Sequence, residues 1–171
     1  MNPLLKIAVL PTDVTMTTLL RVLHLEANPQ DAARIEALLV DGGLSCTIRR
    51  VETRHTFTSA LNNGQVDLIL AEFFLHGFDE GGALEVAQQL VPDVPFIFIS
   101  AAGAEILCFE HMHRGATDCI SKERLGRLVP SVRRVLRERE ARAARTQAED
   151  ALRQSEMQLR QLQKLEAVGR L

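Results

Sequence analysis

The sequence is short of several things, and each shortage closes off a class of function. No apolar stretch reaches the roughly 18–20 uninterrupted residues that a membrane-spanning helix needs. The apolar run at residues 4–10 is broken by Lys6 and followed by Pro11, Thr12 and Asp13. It is too short and too poorly flanked for a signal peptide. A basic excess is missing as well: the formal net charge is −2 over 171 residues, which argues against a dedicated nucleic-acid binder. The arginines at 133, 134, 137, 139, 142 and 145 are interleaved with Glu138 and Glu140 and have no aromatic residues among them. They read as a solvated helix face. Cysteine is scarce. Cys46, Cys108 and Cys119 form no CxxC pair and leave an odd thiol, so unpaired thiols in a reduced, cytoplasmic setting are expected. No Gly-rich loop opens a helix after the first strand, and Asn63-Gly64 and Gly42-Gly43 read as turns rather than phosphate cradles.

What is present is enough apolar residue, 46% of the chain, to bury a substantial core. Residues 1–19 read as an extension with no specified structure. From Leu20 onward short apolar strands alternate with amphipathic helices. The first strand is 21–25. Asn28 is a good helix N-cap, with Pro29 at the first helical position and Asp31 in the first turn. Ala32, Ile35, Leu38 and Leu39 make one helical face, which Gly42-Gly43 ends. A second strand is read at 45–51, a short helix at 56–61 and a third strand at 66–71. A helix carrying Leu84, Val86, Ala87 and Leu90 follows and is closed by Pro92. Residues 94–100 form a β-rich fourth strand, 105–113 a short helix and 117–120 a fifth strand. Such alternation implies parallel pairing by right-handed crossovers.

Four polar residues stand at the carboxyl ends of these strands, where ligands bind in open α/β sheets. They are Glu26, Glu72, Ser100 and Lys122. Glu72 ends the nearly continuous apolar third strand, the mark of a strand covered on both faces. Cys108, His111 and His113 offer a weaker metal motif with no fourth ligand near in sequence, so no metal is expected there.

The ordered strands and the four site positions resemble the receiver domain of two-component response regulators over residues 20–138. The resemblance implies a flavodoxin-like, doubly wound sheet in strand order 2-1-3-4-5. It also implies an aspartate at the position of Glu72 to accept a phosphoryl group, and two acids after the first strand to share a Mg²⁺ ion with it. Here Glu26 matches one acid and Ala27 deletes the other. Mg²⁺ wants near-octahedral oxygen ligation, so Ala27 and Glu72 together disfavour it. The extra methylene of Glu72 pushes its carboxylate out of in-line geometry. Ser100 keeps the family's hydroxyl and Lys122 its cation, while Cys119 stands where an aromatic switch residue is common. His76 replaces a usual proline before Gly77. The resemblance therefore implies a degenerate site, with Glu72 either ion-paired to Lys122 in a fixed state or a relic.

After Lys122 the character changes. A fifth helix begins at 125 with Leu128, Val132, Val135 and Leu136 facing the domain, and Pro130 predicts a kink or a restart. Beyond Glu140 there is no proline, and no glycine until Gly169. Ala148, Leu152, Ser155, Leu159 and Leu162 alternate at spacings of four and three, a heptad seam for a parallel dimer. Glu138–Arg142, Glu149–Arg153, Glu156–Arg160 and Glu166–Arg170 are i,i+4 pairs with the acid first, the better orientation. Residues 158–171 resemble the helix that enters the dimerisation domain of sensor histidine kinases, without a histidine in the matching context.

The domains expected are thus 1–19 as extension, 20–128 as receiver-like domain and 129–171 as coiled coil. The expected function is a non-enzymatic signalling module that dimerises and relays conformational bias to a histidine kinase. No nucleic acid, membrane, cofactor or metal is expected. Two alternatives stay open: a phosphorylatable receiver and a purely structural dimeriser.

Overall fold

In the computed structural model the described residues are 19–75, 77–78, 82–101, 103 and 105–169, without the side chains at 105, 107–109 and 166–167. The residue at 76 and the extension before Leu19 therefore lie outside them. Five parallel strands run β1 (Leu20–Leu25), β2 (Cys46–Val51), β3 (Leu68–Glu72), β4 (Phe96–Ser100) and β5 (Asp118–Ser121). Their order is β2-β1-β3-β4-β5, as expected. The helices are α1 (Pro29–Asp41), α2 (Arg54–Asn63), α3 (Gly82–Leu90), α4 (Glu105–His113) and α5 (Leu128–Gly169), with a 3₁₀ helix at Lys122–Arg127 before α5.

The alternation of side chains along each strand splits the core into two layers. Leu23, Leu25, Ile69, Ala71, Phe96 and Phe98 face one way and pack with Phe57, Leu61, Leu84 and Ala87 of α2 and α3. Val22, Leu68, Leu70, Ile97 and Ile99 face the other way, against Ile35 and Leu39 of α1 and Leu128, Val132 and Val135 of α5. The same period of two carries His24 and Glu26, and Glu72 at the end of β3, onto the α1/α5 side. That is how a covered strand delivers an acid to a defined face.

Local chemistry fixes the ends of the elements. The Asn28 side chain accepts from Gln30 N at 2.9 Å, and Pro29 follows it at the start of α1. β3 starts two residues later than its apolar run suggested. Asp67 is drawn out of the run by Arg21, whose Nε donates to its Oδ2 at 2.8 Å. α2 is longer than expected because Thr53 and Thr56 form a reciprocal capping box, a device usually recognised by Glu or Gln at its third position. The expected restart near Pro130 is found: Arg124 breaks helical geometry, and α5 begins afresh at Leu128 with the proline in its first turn. There the missing N–H costs no helical hydrogen bond. The ion pairs formed on α5 among the described residues are Arg134–Glu138 and Arg145–Glu149. The arginine comes first in both, so Glu138–Arg142, Glu149–Arg153 and Glu156–Arg160 are not the pairs realised, and the expected Glu166–Arg170 pair lies outside the described side chains; Arg134 is drawn to Asp118 of β5 as well as to Glu138.

Gly115, between α4 and β5, has φ +106°, a region closed to L side chains. A Cβ there would also meet the Gln88 amide. Gly115→Ala should lower unfolding stability by about 1–2 kcal/mol, with backbone strain as the cause. Urea unfolding followed by circular dichroism measures it.

Candidate functional site

The site is built around Lys122, the first residue after β5. Its ammonium has three protons to donate, and three carboxylates take them. Nζ lies 3.0 Å from Glu26 Oε2, 2.7 Å from Asp31 Oδ2 and 2.8 Å from Glu72 Oε1. Three elements converge here: the end of β1, the first turn of α1 and the end of β3. Glu26 is fully buried and its Oε1 also accepts the Asn28 backbone N–H at 2.8 Å. Behind it Arg50 of β2 donates to the carbonyls of Glu26 and Ala27, at 3.2 and 3.1 Å, and so fixes the loop into α1.

The electrostatics follow from burial and pairing. Burial pushes the Glu26 carboxyl above its ordinary range, and neighbouring Glu72 adds to the rise against the opposing pull of Asn28 and Lys122. Burial works against the Lys122 charge, yet hydrogen bonds to Asp31, Glu72 and Glu26 outweigh it and raise its pKa. The ammonium is therefore permanent at any physiological pH. His24 lies on the same face of β1, fully buried, with both ring nitrogens lacking a hydrogen-bond partner. Burial takes its pKa down to about 4, so it is neutral.

Of the residues singled out in the sequence, Glu26, Glu72 and Lys122 are brought together. Asp31 completes the cluster and was not foreseen as part of it. Its place in the first turn of a helix already accounted for an acid, which hid the second role. Ala27 is exposed and offers only its carbonyl. Ser100 is fully buried on the opposite face of the sheet, with Cys119 Sγ 3.9 Å from its hydroxyl. The two sets do not touch through any hydrogen bond among the described residues. Cys119 also corrects the expectation of unpaired thiols: it is held in a disulfide, while Cys46 is free. Spacing along the chain cannot see a pairing made by packing.

The fold family implies a Mg²⁺ ion among acids of this kind, and the residues present do not fit one. A cation shared by Glu26, Asp31 and Glu72 would need the space that the Lys122 ammonium fills at 2.7–3.0 Å from each. Among the described residues no group of His, Cys, Asp or Glu has the geometry to hold a metal ion.

No family model matches the sequence, and no curated protein matches it. Solved structures do. NtrX from Brucella abortus, in complex with ADP, superposes with a TM-score of 0.69 at 20% identity over 75% of this chain and 30% of that one. The signal receiver domain of a putative LuxO repressor protein from Vibrio parahaemolyticus gives 0.66 at 22% identity, over 74% of this chain and 97% of that one. A CheY-like receiver domain protein from Methanospirillum hungatei JF-1 gives 0.63 at 20%, covering 73% and 99%. The fold is that of a response-regulator receiver domain. The chain spans only about 30% of the length of NtrX, and the shared part is the receiver fold. Among the described residues no helix is long and apolar enough to cross a membrane.

Proposed function

We propose that this receiver-fold chain is a non-catalytic module of two-component signalling, a pseudo-receiver. In it the ion pair of Glu72 with Lys122 replaces the phosphorylation chemistry that its fold-mates' name implies. The observation that carries the reading is the saturated ammonium. All three Lys122 protons are committed to carboxylates, and the acid at the end of β3 is one of them. A carboxylate already held by a half-buried cation is less available to attack a phosphodonor or to bridge a metal. The pocket is thus set in one electrostatic state by the sequence itself, as a bound cation would set it.

The output half of the proposal rests on α5. At ~1.5 Å per residue its 42 residues extend about 60 Å, and from residue 141 its described side chains are exposed. Leu152, Leu159 and Leu162 are 57–62% exposed and lie on the seam with Ala148 and Ser155. A lone solvated helix of this length is marginal, and pairing with a second copy buries that seam. The relay would be a rotation or register change of the paired helices toward a histidine kinase partner. The domain division at 128/129 belongs to this proposal, since α5 starts at Leu128.

Two measurements test it. Incubation with a small phosphodonor and Mg²⁺ should leave the intact mass of the protein unchanged. The same treatment of the Ala27→Asp/Glu72→Asp variant, which restores the second acid and the shorter acceptor, should add one phosphoryl group. Phosphorylation of the unaltered chain would overturn the pseudo-receiver reading. Sedimentation should find a dimer at micromolar concentration that Leu152→Asp/Leu159→Asp converts to monomer; a monomeric parent chain would end the relay.

A further inference from the structure

We propose that the groove between the sheet and the departing α5 binds a small zwitterion with a compact apolar group, an aliphatic α-amino acid of the leucine class. The groove is a pocket of about 340 Å³, at the end of the sheet opposite Lys122. Leu20 at the start of β1, Leu44 in the turn between α1 and β2, and Leu136 and Ala143 on α5 give it apolar walls. Leu20, Leu44 and Leu136 already belong to the α1/α5 layer of the core, so a ligand's alkyl group would extend a packing the protein begins.

The charges on the pocket decide the class of ligand. Asp67, Arg139 and Glu140 line it. Asp67 is satisfied from elsewhere: Arg21 donates from Nε to its Oδ2 at 2.8 Å and from Nη2 to its Oδ1 at 2.9 Å. Arg139 is half-buried and gives only Nη1, to the Asp67 carbonyl at 2.9 Å. Its Nε and Nη2 have no partner among the described residues, and together they form the side-on fork that matches a carboxylate. Glu140 is exposed and its carboxylate has no partner among the described residues. One uncommitted cation and one uncommitted anion therefore border the same apolar cavity. A lone acid or a lone amine answers one of them. An α-amino acid answers both, with its carboxylate on Arg139, its ammonium at Glu140 and its side chain against the leucines.

Pairing of α5 with a second copy leaves this pocket open. Carried back at heptad spacing, the seam at Ala148 and Leu152 passes through residues 145, 141 and 138. Leu136, Arg139, Glu140 and Ala143 lie on the other side of the helix. A ligand here ties the start of β1 and the α1–β2 turn to the stretch on which α5 leaves the domain, and so stiffens that exit. None of these residues belongs to the Lys122 cluster, so this inference and the pseudo-receiver reading stand or fall separately.

The test is an NMR titration of the full chain with L-leucine and with three compounds that each lack one part of it: 3-methylbutylamine, 4-methylpentanoate and glycine. Leucine at millimolar concentration should shift the amide signals of residues 43–45 and 136–143 to saturation. No shift there overturns the proposal. 3-Methylbutylamine should bind about tenfold more weakly and glycine about thirtyfold, for the lost carboxylate fork and the lost alkyl burial. 4-Methylpentanoate should bind about threefold more weakly, since Glu140 is exposed. Any of the three binding as tightly as leucine overturns the zwitterion. Glu140→Gln, at an exposed position that holds no contact in the fold, should weaken leucine about threefold and leave 4-methylpentanoate no weaker. Equal leucine affinity in both proteins overturns the role of Glu140. Ala143→Phe should fill the pocket and abolish the shifts while the sedimentation of the chain stays the same. Retained shifts overturn the location; changed sedimentation makes a second copy the occupant and overturns the proposal as well.

Discussion

Lys122→Met should destabilise the fold by about 2–4 kcal/mol at neutral pH, the largest loss expected from any single charged residue here. The reason lies in what is left behind. Glu26 is fully buried, and the side chains of Glu72 and Asp31 keep 19% and 30% of their exposure. With the ammonium gone, these acids face each other across a space of a few ångströms. Removing one partner of a buried pair strands the others, which costs far more than the pair contributed net. Partial exposure of two of the three acids is why the figure sits below the upper end for fully buried pairs. Urea unfolding of the two proteins measures the loss, and a change under 0.5 kcal/mol would remove Lys122 as the organising charge. A second arm separates charge from packing. In Lys122→Met, millimolar Mg²⁺ should recover part of the stability, because three carboxylates without their ammonium regain a cation site. In the unaltered chain the same Mg²⁺ should change little. Lys122→Arg should fall between the two, since a planar guanidinium cannot point its donors along three divergent directions.

The parts of this molecule that could be read in advance are those whose cause is local or periodic. The apolar run into Glu72, the Asn28–Pro29 start of α1 and the apolar face at Leu128, Val132 and Val135 each state their structure in a few neighbouring residues. Parallel pairing followed once five strands alternated with helices, and the strand order came with the receiver resemblance. What stayed hidden has causes that are distant along the chain. Asp31 joins Glu26 and Glu72 only because Lys122, 91 residues away, reaches back across the sheet. Asp67 leaves β3 for Arg21, 46 residues earlier. Cys119 finds a disulfide that no spacing rule announces. The Thr53–Thr56 box is local, but it uses a hydroxyl where the recognisable motif has a carboxylate or amide. In each case the residue had a sufficient local explanation, and the tertiary one displaced it.

His24 should make the protein acid-labile well above the pH at which carboxylates titrate. In the unfolded chain its imidazole protonates near 6.5; in the folded protein burial holds it down to about 4. A depressed histidine favours the folded state only while neutral, so as pH falls below 6.5 the unfolded chain binds a proton that the folded one refuses. Stability is lost progressively through that window, about 2 kcal/mol by pH 5 and roughly 3 kcal/mol by pH 4. Glu26 acts in the opposite sense. Its raised pKa lets the folded protein take a proton first, which adds stability as pH falls. Asp67 and Asp118, both held below their ordinary value, lose stability only at lower pH still, beneath the histidine window. The histidine contribution is therefore isolated by difference. His24→Leu should abolish the loss between pH 6.5 and 4.5 and add about 1 kcal/mol at pH 7, because it removes two buried ring nitrogens that lack partners. Unfolding midpoints in urea at pH 7, 6, 5 and 4.5 for both proteins decide it. Parallel curves would mean that the imidazole finds a proton-accepting partner in solution and that its burial is not what sets its charge.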